Sequence, residues 1–246
     1  YTLVTGVQTC ALPISPPPPF PPSGPAGNPF PWEDRARLGF VNAYIGGVRE
    51  LLTAPAAAFA RMRERGDYAS PLLFAIVSAI LGALFSGLWS FAFKPTNWLA
   101  MLPGDLGEQA GAAAAIGAGG FFFQLILVPI MTMIGLLIGA GITHLFLLLF
   151  GGLQQSPSGF EGTFRVVGYS SVTQLANLVP IVGPLAGTIW AIVLLVLGLA
   201  RLHRTTQGRA LAAVFAPLVL CCVCVLFAAI LAGGLIAGAI KGAGGF

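Results

Sequence analysis

Four stretches of the chain, residues 71–93, 121–150, 183–200 and 210–240, contain no Asp, Glu, Lys or Arg. A helix that crosses the hydrocarbon core of a bilayer needs about 20 apolar residues, and each stretch comes close to that length or exceeds it. The shortest, 183–200, is apolar throughout except for Thr188. Only 8% of the 246 residues are charged, whereas a soluble domain carries about 25%. The chain could not wet its own surface. The expected fold class is all-α, a polytopic membrane protein whose first partner is the lipid bilayer.

A fifth stretch, 164–182 (FRVVGYSSVTQLANLVPIV), is only weakly hydrophobic, so hydropathy leaves four spans or five. Charge placement decides between them, because cytoplasmic flanks carry the Lys/Arg excess. With the N-terminus inside and five spans, Arg35, Arg37, Arg49, Arg61, Arg63, Arg65, Arg165, Arg201, Arg204 and Arg209 all fall inside, and only Lys94 and Lys241 fall outside. With four spans the split is eight against four. Five spans are expected, at about 71–93, 121–150, 164–182, 183–200 and 210–240, with a cytoplasmic N-terminus and an outside C-terminus. The same placement argues against a nucleic-acid partner, since the twelve basic residues are spread along the whole chain.

On a helical wheel of 100° per residue, Tyr169, Ser170, Thr173, Gln174 and Asn177 share an arc about 140° wide. Such an arc is expected to face the bundle interior, either as interhelical hydrogen bonds or as the lining of a polar groove. Small residues supply packing surfaces. Ala75, Ala79, Ala83 and Gly87 recur at every fourth position beside Ser78, Gly82, Ser86 and Ser90, and GxxxG pairs occur at Gly135/Gly139, Gly183/Gly187 and Gly234/Gly238. These rows serve close helix approach within one chain or between copies.

Ahead of the first span, Phe40, Val41, Tyr44, Ile45, Val48, Leu51 and Leu52 recur at helical spacing up to Pro55, and residues 56–65 form a second short helix. Both are expected as interfacial helices on the membrane surface, with Arg61, Arg63 and Arg65 marking the cytoplasmic flank. Residues 16–31 are proline-rich and expected as an extended or disordered linker. Residues 1–15 (YTLVTGVQTCALPIS) lack the basic n-region of a secretory signal and resemble the translated tail of a sequencing-library adapter, so they are set aside as an artefact. The Gly/Ala-rich stretch 104–120 is expected to be unordered, or at most a short surface helix.

The order of features from 162 to 211, GTFRVVGYSSVTQLANLVPIVGPLAGTIWAIVLLVLGLARLHRTTQGRAL, resembles the Yip1 domain family. The resemblance rests on Tyr169 in a polar third span, the P-x-x-G turn of Pro180 to Gly183, Trp190 in the fourth span and a short basic loop carrying His203. Upstream, LLTAPAAAFARMRERGDYASPLLF adds a helix with a proline and then a Phe, and a proline before the first span. The resemblance covers about residues 32–240. It implies a five-span α-helical bundle with a cytosolic N-terminus. Eukaryotic relatives take part in early secretory traffic and bind Rab-type GTPases; the style of this chain is bacterial, which implies the cytoplasmic membrane. Many bacterial members carry an N-terminal zinc ribbon; none is visible in this sequence, whose adapter-like start leaves open that one was lost by truncation.

No catalytic group is expected. The only histidines are His144 and His203, and no carboxylate lies inside any of the five stretches, so neither a nucleophile with its base nor a ligand cluster is legible. His144 beside Thr143 reads as a capping or interfacial residue. Cys221, Cys222 and Cys224 read as small hydrophobes rather than as a soft-metal site. No cofactor or metal is expected. The function that fits is a non-catalytic membrane organiser or scaffold, with a protein partner or self-association, and Arg61, Arg63, Arg65, Arg201, Arg204 and Arg209 as its cytoplasmic basic face. The alternative is a transporter or channel component using the polar arc. A carboxylate facing that arc would favour transport, and the sequence shows none.

Overall fold

The computed structural model describes residues 29–93, 100–101 and 104–243, and all the regular elements among them are helical. The expectations for residues 1–15, for most of the 16–31 tract and for Lys94 lie outside the described residues. A 3-10 turn at Pro31–Asp34 leads into α1 (Arg35–Leu38), α2 (Phe40–Thr53) and α3 (Pro55–Arg61). Then follow α4 (Ala69–Phe93), α5 (Asp105–Leu149), α6 (Gly159–Ser170), a 3-10 helix at Ser171–Leu178, α7 (Val182–Leu202) and α8 (Gln207–Ala243).

Four helices are long and apolar enough to cross a membrane: α4, the 115–149 part of α5, α7, and α8 over 207–227. The protein is an integral membrane protein. Pro129 and Pro217 sit inside α5 and α8, where neighbouring helices and local adjustment of the backbone make proline tolerable. α5 runs unbroken from Asp105, so residues 104–120 do not form the unordered loop expected from their Gly/Ala content. Alanine is the best helix former, and the alanine run propagates the apolar helix outward.

The helix ends follow from local chemistry. Asp67 accepts the Ser70 backbone N–H at 2.9 Å ahead of α4, an N-cap that a carboxylate fills well. α5 ends in a Schellman motif: Gly151 takes φ +67°, the Gly152 N–H reaches Leu147 O at 2.8 Å, and the Gly151 N–H reaches Leu148 O at 3.0 Å. α7 ends in the same pattern, with Thr205 N–H on Ala200 O at 3.0 Å, but its left-handed residue is Arg204, at φ +51°.

The core joins the N-terminal arm to the bundle. Phe30 and Trp32 are fully buried, and the Trp32 ring meets Phe74 of α4 at 5.5 Å and Tyr44 of α2 at 5.8 Å. The arm is therefore packed into the bundle. α2 buries Ala43, Tyr44, Gly47 and Leu51 and leaves Phe40, Val41, Ile45 and Leu52 exposed. In α3, Phe59 fills the space over Gly198, against which any Cβ at 198 would collide at 2.9 Å.

The stretch 164–182 is not the single α-helix assumed for the wheel. It is α-helical to Ser170, 3-10 over Ser171–Leu178, and then turns through Ile181 at φ +66° into α7. The 3-10 segment lies between α4 and α7. Glycine makes room for its backbone: a Cβ at Gly82 of α4 would stand 2.7 Å from Gln174 O, and one at Gly187 of α7 would stand 2.9 Å from Thr173 O. α4 and the α6–3-10 segment touch at both ends. Near one end Asp67 N–H meets Glu161 Oε1 at 2.7 Å, and near the other Trp89 Nε1–H meets Leu178 O at 3.0 Å.

Candidate functional site

The polar chemistry of the molecule is organised on two faces of α6. Glu161, Arg165 and Tyr169 follow one another at i, i+4 and i+8, one stripe of a helix; Thr163 lies on the opposite side.

On the first face Arg165 is wholly buried. Its guanidinium pairs with Glu33 through Nη1, and Nη2 donates to Glu161 Oε1 at 2.9 Å and to Asp67 O at 3.1 Å. Its Nε is buried without a partner. Glu33 comes from the N-terminal turn, 132 residues away. Its Oε1 also accepts Tyr169 O–H at 3.1 Å, and its Oε2 accepts Arg63 N–H at 2.9 Å. A buried charge persists only when paired and hydrogen-bonded, and this pair meets both conditions. The network continues to Asp67, which bonds Ser70 through both carboxylate oxygens. Arg35 Nη1 donates to Ser70 Oγ at 2.6 Å, and Trp32 Nε1–H donates to Ser70 O at 2.7 Å. Burial alone would raise the carboxyl pKa of Asp67, but Ser70, Arg165 and Arg35 outweigh it and hold the group below its ordinary value.

The second face is neutral. Thr163 Oγ1 lies 2.8 Å from His144 Nδ1 and 2.9 Å from His203 Nε2, and His203 Nδ1 lies 2.7 Å from Ser156 Oγ. Ser156 Oγ also accepts Gly159 N–H at 3.1 Å. Both histidines of the chain thus meet at one hydroxyl, near the same end of the bundle. Burial, reinforced by His144, pushes the His203 pKa down to about 4, so its imidazole is neutral at physiological pH and one ring nitrogen must accept.

The residues singled out from sequence separate under this geometry. Tyr169 belongs to the charged network and is packed edge-on against Phe30 at 5.1 Å and Phe74 at 5.3 Å. Ser170 returns its hydroxyl to Val166 O at 2.8 Å, and Thr173 returns its own to Ser170 O at 2.9 Å. Gln174 packs against Gly82, and Asn177 is half-buried, its Nδ2 3.5 Å from Gln174 Oε1. The single arc is broken up because the wheel angle changes at Ser171. A carboxylate does face Tyr169, contrary to the sequence reading: Glu33, invisible to a search inside the spans because it arrives from the arm. The partner of His144 is Thr163, not Thr143. Trp190 Nε1–H reaches Leu51 O at 3.3 Å and ties α7 to the end of α2. Pro180 and Gly183 form the turn into α7, where Gly183 N–H bonds Val179 O at 3.0 Å. Cys221, Cys222 and Cys224 are exposed on α8 rather than packed. Among the described residues no three of His, Cys, Asp and Glu stand close enough to hold a metal.

The basic residues gather at the end of the bundle that holds both networks. Arg61 pairs with Glu50, and Arg204 with Glu64 at 3.0 Å. Arg209 Nη1 donates to Gly151 O at 3.1 Å. Arg63, Arg65, Arg201, Arg204 and Arg209 are exposed. Compared with known proteins, residues 49–230 match the family model described as the Yip1 domain. No curated protein and no solved structure matches the chain.

Proposed function

Because the chain belongs to the Yip1 domain family, we propose that it is a non-catalytic membrane organiser that crosses the bilayer five times and presents its arginine-rich end to the cytoplasm as a docking face for a protein partner. The segment 159–178 is the fifth crossing in this reading. Supporting it are the contacts with α4 near both ends, Asp67 with Glu161 and Trp89 with Leu178. The orientation follows the positive-inside rule, since the exposed arginines share one end. α1 to α3 form a cap at the inner membrane interface, with Phe40, Val41 and Ile45 toward lipid. The bacterial cytoplasmic membrane is the proposed location, and a role in membrane traffic or organisation is what the family resemblance adds.

One observation carries the scaffold reading. Arg165, Glu33, Asp67 and Glu161 are turned inward on one another to fasten the arm, while Arg63, Arg65 and Arg201 are left exposed at the same end of the bundle. Transport through the polar residues is less well supported. Glu33 does meet Tyr169, but it is ion-paired, and Ser170 and Thr173 satisfy their hydroxyls on their own backbone. The test is crosslinking and pull-down of the tagged full chain from native membranes. A stoichiometric soluble partner, lost on changing Arg63, Arg65 and Arg201 to Ala, is the expected result. Recovery of the chain alone would sink the reading and bring a flux assay forward.

A further inference from the structure

A cleft of about 340 Å³ lies between the loop after α5 and the start of α8, with Gly151, Gln155, Arg204, Thr205, Thr206 and Arg209 in its walls. No acidic residue lines it, although Glu64 pairs with Arg204 of its wall at 3.0 Å. From its chemistry we infer that this cleft binds the phosphate of an anionic phospholipid headgroup. The inference rests on the membrane crossing of α5 and α8 and not on the scaffold reading.

Three features converge on an anion. Arg204 and Arg209 each use one N–H, on Glu64 and on Gly151 O; a guanidinium has five, so both keep donors for a ligand. α8 begins at the cleft, and the first amides of a helix lack intrahelical acceptors and carry its positive dipole end. The Thr206 hydroxyl takes only the Arg209 N–H, at 3.4 Å, and the buried Thr205 hydroxyl has no partner at all. The C-terminal ends of α5 and α7 also come close, but their last carbonyls are engaged by Schellman bonds; Arg204 shares its charge with Glu64, so the net positive charge at the cleft comes from Arg209 and the N-terminal end of α8. Arg204 itself occupies the left-handed position that glycine fills at the end of α5, a conformation unfavourable for a residue with a Cβ.

The neighbourhood selects a lipid over free phosphate. Within three residues of the cleft, Leu148 and Leu149 on α5 and Leu211 on α8 are exposed on stretches long and apolar enough to cross a membrane, and α5 and α8 pack side by side. A headgroup phosphate in the cleft therefore has acyl-lined helix surface directly beneath it.

The test titrates the purified full chain in neutral detergent with phosphatidylglycerol, phosphatidylcholine or inorganic phosphate and counts bound molecules by native mass spectrometry. Phosphatidylglycerol is expected to be retained over phosphatidylcholine, and the pair of changes Arg204→Ala and Arg209→Ala is expected to reduce that retention by about tenfold or more. Gln155→Glu, which keeps both arginines and sets a negative charge on the wall, should reproduce the loss if the double variant fails to fold. Arg65→Ala should not. Equal retention of the two lipids, no effect of the cleft variants, or an equal loss in Arg65→Ala would overturn the site. Displacement of the lipid by an equal concentration of inorganic phosphate would overturn the choice of a lipid as its ligand.

Discussion

Residues 159–170 and 171–178 form one continuous segment, yet its two halves are held by different physics. The first half is α-helical and fixed by charge: Arg165 is bound by Glu33 of the arm, by Glu161 of its own helix and by Asp67 O ahead of α4. The second half is a 3-10 helix fixed by shape. The carbonyls of Thr173, Gln174 and Ala176 lie against Gly187, Gly82 and Gly183 of its two neighbours. A 3-10 helix has poorer hydrogen-bond geometry and is used in short pieces, so close glycine surfaces on both sides are what hold it. The comparison teaches how a stretch with little hydropathy of its own is kept inside a bundle of apolar helices. One end is anchored by a satisfied ion pair, and the other is clasped by backbone contact.

Breaking the charged half has the largest expected effect. Arg165→Ala leaves Glu33 buried without its counter-charge, and removal of one partner of a buried pair costs about 3–5 kcal/mol. Thermal unfolding of the full chain in detergent reads it, and restoration of wild-type stability by a Glu33→Gln change in that background would show how much of the loss is the orphaned carboxylate. Next comes the neutral network beside it. The His203 pKa is about 4 in the folded chain against about 6.5 unfolded, so the unfolded chain takes the proton first. Stability from this group is full above pH 6.5 and falls as pH drops toward 4, by about 3 kcal/mol in all. His203→Gln should flatten that window. The lowered carboxyl of Asp67 acts only below the ordinary carboxylate range, so an acid titration separates the two networks.

The shape-held half is expected to respond to volume and not to pH. Gly82→Ala places a methyl against Gln174 O and should cost about 1–3 kcal/mol, with the same loss at pH 5 and pH 8. A pH-dependent loss there would dissolve the distinction between the halves. The smallest effect belongs to the Arg37–Asp34 pair, 2.6 Å apart on the surface with Arg37 63% exposed. Arg37→Ala should change the unfolding midpoint by less than the equivalent of about 1 kcal/mol, which marks how little an ion pair contributes outside the bundle.

Much of this was legible from the residues alone. The uncharged stretches located α4, α5, α7 and α8, because apolar length is a local property. The arginine distribution pointed to one end of the bundle, and the features around Tyr169, Pro180, Trp190 and His203 pointed to the family. What escaped depends on distance along the chain or on backbone detail. Glu33 and Arg165 are 132 residues apart, and nothing in either neighbourhood names the other. His144 and His203 meet only because Thr163 stands between them. The switch from α to 3-10 at Ser171 is set by the neighbouring glycines, so a fixed 100° wheel placed Ser170, Thr173 and Asn177 on a common face that the fold does not build. Phe30 falls in the stretch expected as a linker, and no expectation was attached to Trp32; the burial of both follows from Phe74 and Tyr169 offering them a ring pocket.

The central claim is that residues 159–178 cross the membrane, and cysteine accessibility tests it most directly. In the full chain with its native cysteines replaced, Arg63→Cys and Ile181→Cys are introduced singly; Ile181 is 89% exposed beyond the 3-10 segment. A membrane-impermeant maleimide applied to intact cells should label the cysteine at 181 and reach the cysteine at 63 only after permeabilisation. Labelling of both positions from the same side would mean that the segment enters and returns, and would contradict the account.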